Sequence, residues 1–251
     1  MAGRLTGRVV LVTGAAGAIG AATAIAFAAE GAETAWLDLA APPGLVGTRG
    51  LSLACDVTDP TAVEAAFQAV AARFGGVDVM VSNAGSALQG QMADLPDADL
   101  RRSFELNFFA HQHVAQAAVR VWRRQGTGGV LLFNASKQAV NPGPAFGAYG
   151  TAKAALLALM RQYALELGAE GVRVNAVNAD RIRSGLLDPA MVAARARARG
   201  VSEAAYMAGN LLRREVTAAD VAKAFVDLAL SPATTGAIAT VDGGNVAAML
   251  R

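Results

Sequence analysis

The chain has 251 residues, 54% of them hydrophobic and 17% charged, with a formal net charge of +2. That length suits one large α/β unit that buries roughly 70–75% of the surface of its unfolded chain, and the small charge, with no basic run interleaved by aromatics, gives no footing for nucleic acid. The single cysteine, Cys55, excludes a disulfide framework and a cysteine-based zinc site, and the two histidines, His111 and His113, are spaced so that they do not share a helix face, so no metal site is expected.

Short β-like runs alternate with Ala-rich helical runs. Arg8–Val12 reads as a first strand and Gly17–Glu30 as a helix. Glu33–Leu37 is a second strand ending in Asp38, and Leu51–Cys55 is a third, with Cys55 a buried, inert thiol. Pro60 then opens a helix in its first turn. Val77–Ser82 is a fourth strand, and a long helical region with a break runs from about Asp97 to Arg124. Gly129–Ala135 is a fifth strand, followed by a helix that carries Tyr149 to about Gly168. Val172–Val177 is a sixth strand, residues 184–212 are helical but irregular, Ala218–Leu230 is a further helix and Ala237–Val241 a last strand. Apolar strands alternating with helices predict an α/β, doubly wound Rossmann-type parallel sheet of about seven strands, with helices on both faces and right-handed crossovers. With no repeat, linker or low-complexity tail, residues 1–251 read as one domain. The uncharged stretch from Val9 to Ala29 is mostly Ala and Gly, too weakly apolar for a membrane span. A cytoplasmic protein with no membrane partner is the simplest expectation.

After the first strand comes Thr13-Gly14-Ala15-Ala16-Gly17-Ala18-Ile19-Gly20, which opens a helix. Gly14 allows the tight turn, small residues let the backbone approach a pyrophosphate, and Gly20 lets the helix lie close to the sheet. The helix N-terminus then offers unpaired N–H groups and partial positive charge to phosphates. Asp38, ending strand two, is placed to accept from both ribose hydroxyls and would repel a 2′-phosphate, with no Arg or Lys following it until Arg49. That favours NAD over NADP; the bland reading of Asp38 is a solvated turn residue. Asp56, ending strand three, either touches the adenine or caps the next helix.

The residues that carry chemistry are Ser136, Tyr149 and Lys153. Tyr149 and Lys153 are one turn apart at the start of a helical run, so phenol and ammonium share a face. A phenol is a poor base at neutral pH, and a nearby cation favours the phenolate. Ser136 is able to hydrogen-bond an oxygen held between them. This is equipment for moving a proton on or off a substrate oxygen. A Tyr/Lys pair alone is often a surface feature; the Gly-rich turn upstream is what gives it weight.

In order and spacing these motifs, with Asn83-Ala84-Gly85 after strand four, Asn107, and Asn175 on strand six, resemble the short-chain dehydrogenase/reductase family in its single-domain form. The resemblance implies Tyr149 as general acid/base, Lys153 lowering its pKa and holding the nicotinamide ribose, Ser136 orienting the substrate oxygen, and Asn107 holding a water in a proton relay. It implies a cofactor-facing set of Gly14, Gly17, Ala18, Ile19, Gly20, Asp38, Asp56, Val57, Asn83, Ala84, Gly85, Tyr149, Lys153, Ala179 and Ile182. It also implies a homotetramer or homodimer pairing helices of the 104–124 and 149–168 regions. From Ser82 onward the chain looks most like the dehydrogenase domain of rhamnulose-phosphate aldolase/alcohol dehydrogenase fusions, carried by Ala135-Ser136-Lys137, Asn178-Ala179-Asp180 and Val241-Asp242-Gly243-Gly244. That likeness points to sugar-like or hydroxy-acid substrates.

Three features depart from the family pattern. Ala18 stands at the usual middle glycine of the turn, Ala179-Asp180 replaces the Pro-Gly after strand six, and the following Thr has no clear counterpart, with Arg183 or Ser184 nearby. Residues 181–214 are expected to form a substrate lid. Ser136, Asn141, Phe146, Tyr149, Arg183, Leu186 and Met191 are the expected substrate contacts; arginines of this segment suit an anionic substrate such as a hydroxy acid or phosphate ester, with a solvated helix face the preferred reading of Arg195, Arg197 and Arg199. The function these residues suggest is NAD-dependent hydride transfer to or from a secondary alcohol or ketone, such as a sugar, polyol or sugar-derived hydroxy acid. An NADPH-type carbonyl or acyl-thioester reductase and a non-catalytic dinucleotide sensor are the rivals; Asp38 opposes the first, and retention of both Tyr149 and Lys153 opposes the second.

Overall fold

The computed structural model describes residues 3–42 and 50–246; Arg49 lies outside them. Seven strands form one parallel sheet in the order β3-β2-β1-β4-β5-β6-β7. They are β1 (Val9–Thr13), β2 (Glu33–Asp38), β3 (Gly50–Ala54), β4 (Val79–Ser82), β5 (Gly129–Asn134), β6 (Val172–Ala179) and β7 (Ile238–Val241). Val9–Thr13 and Val79–Ser82 are buried throughout, as central parallel strands covered on both faces must be.

Two layers of helices cover the sheet. Phe27 of α1 (Ala18–Ala29) and Phe225 of α8 (Ala218–Leu230) pack with Val10, Val12, Val81 and Leu132 on one face. On the other, α2 (Pro60–Phe74), α4 (Ala110–Gln125) and α5 (Gly147–Leu167) bring Phe67, Trp122, Leu156 and Met160 against Leu11, Met80, Leu131 and Phe133. The ends of these helices are written locally. Asp59 caps α2 by accepting from the Thr61 N–H, Pro60 occupies its first turn, and Gly75 follows it in left-handed conformation. Thr217 and Asp220 make a reciprocal capping box at α8.

Strand order reverses between β1 and β4. In open parallel sheets a ligand crevice forms at such a reversal, beyond the carboxyl ends of the strands, and Asn83 ties that crevice together. Its Nδ2 donates to the carbonyls of Thr13 (2.9 Å) and Gly14 (3.2 Å), and its Oδ1 accepts from Asn134 Nδ2 (2.8 Å), so the ends of β1, β4 and β5 are held by one side chain.

The expected break in the long helix is a π-turn, Glu105–Phe109, between α3 (Asp97–Phe104) and α4. Single π-turns concentrate at functional sites, and this one holds Asn107. The irregular 184–212 region resolves into α6 (Pro189–Ala198) and α7 (Glu203–Met207), which share a small core of Val192, Ala196, Tyr206 and Met207. The choice left open for Asp56 is narrowed: the helix cap is Asp59, and Asp56 accepts instead from the N–H and hydroxyl of Thr58.

Candidate active site

A cavity of about 880 Å³ opens at the carboxyl ends of the strands. One end is the β1–α1 turn. Gly14 has φ +64°, and a Cβ on it would lie 2.9 Å from Ala84 Cα; a Cβ on Gly20 would lie 2.1 Å from the Gly14 carbonyl oxygen. Only glycine fits either position. Gly14, Gly17, Ala18, Ile19 and Gly20 all face the cavity, so the first-turn N–H groups of α1 are presented to it. Farther along the same wall, Asp38 accepts from the Ala16 N–H (2.9 Å) through Oδ2 and from the Leu39 N–H (2.8 Å) through Oδ1. The carboxylate is thereby fixed with free lone pairs on both oxygens. Asp56, Val57, Asn83, Ala84, Gly85, Ala179 and Ile182 complete this end. A glycine cradle, a helix N-terminus and an oriented carboxylate in that order fit a dinucleotide, pyrophosphate first and ribose next.

The other end holds the reactive groups. Ser136 caps a short 3₁₀ turn (Lys137–Ala139): its Oγ accepts from the Gln138 N–H at 3.2 Å, which leaves its O–H to donate. It hydrogen-bonds the Tyr149 phenol, an interaction that favours the phenolate. Tyr149 and Lys153 lie on the buried face of the first turns of α5, with Lys153 Nζ 5.8 Å from the Tyr149 ring centre. Phe146 stands edge-on to Tyr149 at 6.4 Å.

The electrostatics differ from the sequence expectation. Burial pushes the Tyr149 phenol up, against the smaller opposing effect of Ser136. Lys153 is not a permanent cation, because burial brings it down to about 7. The ammonium therefore does not by itself make Tyr149 a ready base: both groups are desolvated, which favours the neutral phenol and the neutral amine.

Lys153 Nζ donates to the Asn134 carbonyl (2.9 Å) and meets His111 Nε2 at 3.0 Å. His111 is a site residue that the sequence reading passed over, having weighed it only as a metal ligand; the available signal was its place one turn beyond Asn107. Asn107 does not line the cavity. It is fully buried, with Nδ2 donating to the carbonyls of Ser86 (2.9 Å) and Ser103 (3.0 Å). Its side chain holds the 86 loop behind Gly85, so it bears on the site by position.

Phe146, Leu186 and Met191 line the substrate end, but two expected contacts do not. Arg183 is exposed and pairs with Glu215 at 2.8 Å, because the chain turns its side chain outward after β6. Asn141 sits in the turn preceding α5, off the cavity wall. Conversely, Arg195, read as solvated, lies on the wall: its guanidinium rests 4.4 Å over the Phe146 ring and donates to Gln89 Oε1 at 3.2 Å. Arg181 is held back by the carbonyls of Tyr206 and Gly209, both at 2.9 Å.

Comparison with known proteins agrees with this geometry. Residues 14–245 match the family profile described as Enoyl-(Acyl carrier protein) reductase. The 7alpha-hydroxysteroid dehydrogenase of Escherichia coli (strain K12) is 31% identical, with 97% of this chain and 96% of that protein covered. The uncharacterized oxidoreductase YuxG of Bacillus subtilis (strain 168) is 32% identical over 97% of this chain, which spans only 38% of that relative's length. A crystal structure of a short-chain type dehydrogenase/reductase from Mycobacterium marinum superimposes with a TM-score of 0.87 at 30% identity, covering 96% of each chain. No helix among the described residues is long and apolar enough to cross a membrane. The chain belongs to the short-chain dehydrogenase/reductase family, oxidoreductases that work with a nicotinamide dinucleotide.

Proposed function

We propose that the protein is an NAD-dependent dehydrogenase of secondary alcohols, acting on a small polyol or sugar-derived hydroxy acid. The observation that carries the reading is Tyr149, buried and hydrogen-bonded to Ser136, beside Lys153 at one end of a cavity whose other end is the glycine cradle. A bound nicotinamide supplies a hydride acceptor or donor at the carbon bearing the substrate oxygen. In oxidation, Tyr149 takes the hydroxyl proton, Ser136 donates to the same oxygen as its charge changes, and Lys153 holds charge beside the phenol; reduction runs the same steps in reverse. Asn107 supports this set from behind Gly85.

Asp38 supports NAD over NADP, since its fixed carboxylate would repel a 2′-phosphate. Arg195 supports an acidic substrate over a neutral polyol: it lines the cavity beside Phe146 and has no carboxylate partner among the described residues. The 181–214 segment, which brings Leu186, Met191 and Arg195 over the reactive end, serves as the lid of this single catalytic domain. The likeness to dehydrogenase domains of aldolase fusions is part of the same reading, and the greater length of the Bacillus relative supports it. Exposed Phe109 (42%) and Leu165 (78%), on the two helical regions expected to pair, support a homodimer or homotetramer. Cys55, a buried free thiol, suits the reducing cytoplasm.

The test is a screen of NAD and NADP reduction across polyols, sugars and hydroxy acids, repeated with Asp38→Ser. Turnover of a hydroxy acid with NAD, and a narrower NAD preference in the variant, is expected. Preference for NADP overturns the cofactor assignment, and binding of NADH with no turnover across the panel revives the sensor.

A further inference from the structure

Behind Lys153 lies a buried titratable group that the steps above do not use. His111, on the first turn of α4, is 1% exposed. Its Nε2 is 3.0 Å from Lys153 Nζ, its Nδ1 is 2.6 Å from Ser82 Oγ at the end of β4, and its ring stands edge-on to Phe133 of β5 at 6.0 Å. An ammonium has donors only, so facing a charged Lys153 the Nε2 must present its lone pair. The ring proton then lies on Nδ1 and is donated to Ser82. Burial and the Lys153 charge both press His111 toward the neutral form that this pattern requires.

We propose that His111 is a positioning residue for the catalytic lysine: its lone pair, aimed by Ser82, holds the Lys153 ammonium in place and stabilises its charged state. The inference rests on the reading of Lys153 as the cation of the site. Among the described residues, the only other titratable side chain against the ammonium is Tyr149, on α5; Asn134 of β5 offers a carbonyl, and Asn107 and Ser82 are uncharged. Burial alone drives Lys153 down, so no carboxylate among the described residues compensates it. Two acceptors, the Asn134 carbonyl and the imidazole, are what remain to keep the ammonium charged. A histidine that merely filled the core would do so equally well with its lone pair elsewhere.

The chain has only three lysines, Lys137, Lys153 and Lys223, so the protonation of Lys153 is directly readable. Protein labelled with ¹³C at lysine Cε is titrated by NMR, with Lys137→Arg and Lys223→Arg variants assigning the signals. In the wild type the Lys153 signal should titrate near neutrality. In His111→Leu it should titrate about one pH unit lower, tenfold in the protonation equilibrium, because the charged form loses an acceptor. His111→Gln, whose Oε1 can occupy the Nε2 position, should restore the wild-type midpoint. If the Leu variant does not fold, His111→Asn, too short to reach Nζ, takes its place. An unchanged Lys153 midpoint in the Leu or Asn variant, or failure of Gln to restore a lowered one, overturns the proposal. The readout needs no turnover. If the midpoint moves as stated while no alcohol is oxidised, the positioning role stands and the functional reading falls.

Discussion

The Thr13–Gly20 turn and the 181–214 segment meet across one cavity, yet they are held in opposite ways. In the turn the backbone does the holding. Gly14 and Gly20 leave no space for a side chain, and Thr13 Oγ1 and Asn83 tie the turn to the end of the neighbouring strand β4. In the segment, side chains do the holding. Arg181 clamps two carbonyls and stacks on the Tyr206 ring at 4.8 Å, Arg199 lies over the same ring at 5.2 Å, and Arg214 pairs with Asp220. Its backbone enters left-handed space at Arg181 and Arg213, both φ +52°, where glycine would be easier. A turn fixed by close backbone contact tolerates little change, whereas a segment built on side-chain clamps is free to change its lining without disturbing the turn.

The sharpest way to break that contrast is Gly20→Ala. The new Cβ cannot coexist with the Gly14 carbonyl, so the turn must shift, at a cost of about 1–3 kcal/mol and with most of the dinucleotide affinity; thermal melts and NADH fluorescence titration read both. A second test uses the buried lysine at the opposite end of the cavity from the turn. Lys153 is charged in the unfolded chain up to about pH 10 but in the folded protein only below about 7. Between those values the unfolded state binds more protons, so stability from this group rises with pH through that window. Lys153→Met should flatten the rise of melting temperature between pH 7 and 10. On the side-chain-built half, Arg195→Met should raise KM for hydroxy acids by about tenfold, the loss of one charge-assisted hydrogen bond, while neutral polyols and NADH binding stay unchanged. The smallest effect belongs to Arg183→Ala: exposed and paired with Glu215, it should leave KM for every substrate within error.

The same contrast explains what was legible in the sequence. The cradle, Asp38, Ser136, Tyr149 and Lys153 were readable because the chemistry needs those residue types at fixed offsets along single turns and strand ends. The parallel sheet was readable from its apolar strands. The substrate wall was not. Arg183 and Arg195 look alike as letters, and only the outward turn after β6 and the docking of α6 on Phe146 decide which faces the cavity. His111 was missed for a related reason: its partners, Ser82 and Lys153, come from β4 and α5, and nothing local to α4 announces them. The electrostatics of Tyr149 were not legible either, since one-turn spacing places Lys153 near the phenol but says nothing of the burial that pushes the phenol up and the lysine down.

The role of Tyr149 is tested most directly by Tyr149→Phe, a change that removes one oxygen and keeps the packing against Phe146. With an alcohol that the wild type oxidises, single-turnover hydride transfer should fall by roughly 10²–10⁴-fold while NADH binds as before. Hydride transfer within a few fold of wild type, with the cofactor equally bound, contradicts the assignment of the phenol as the group that moves the proton.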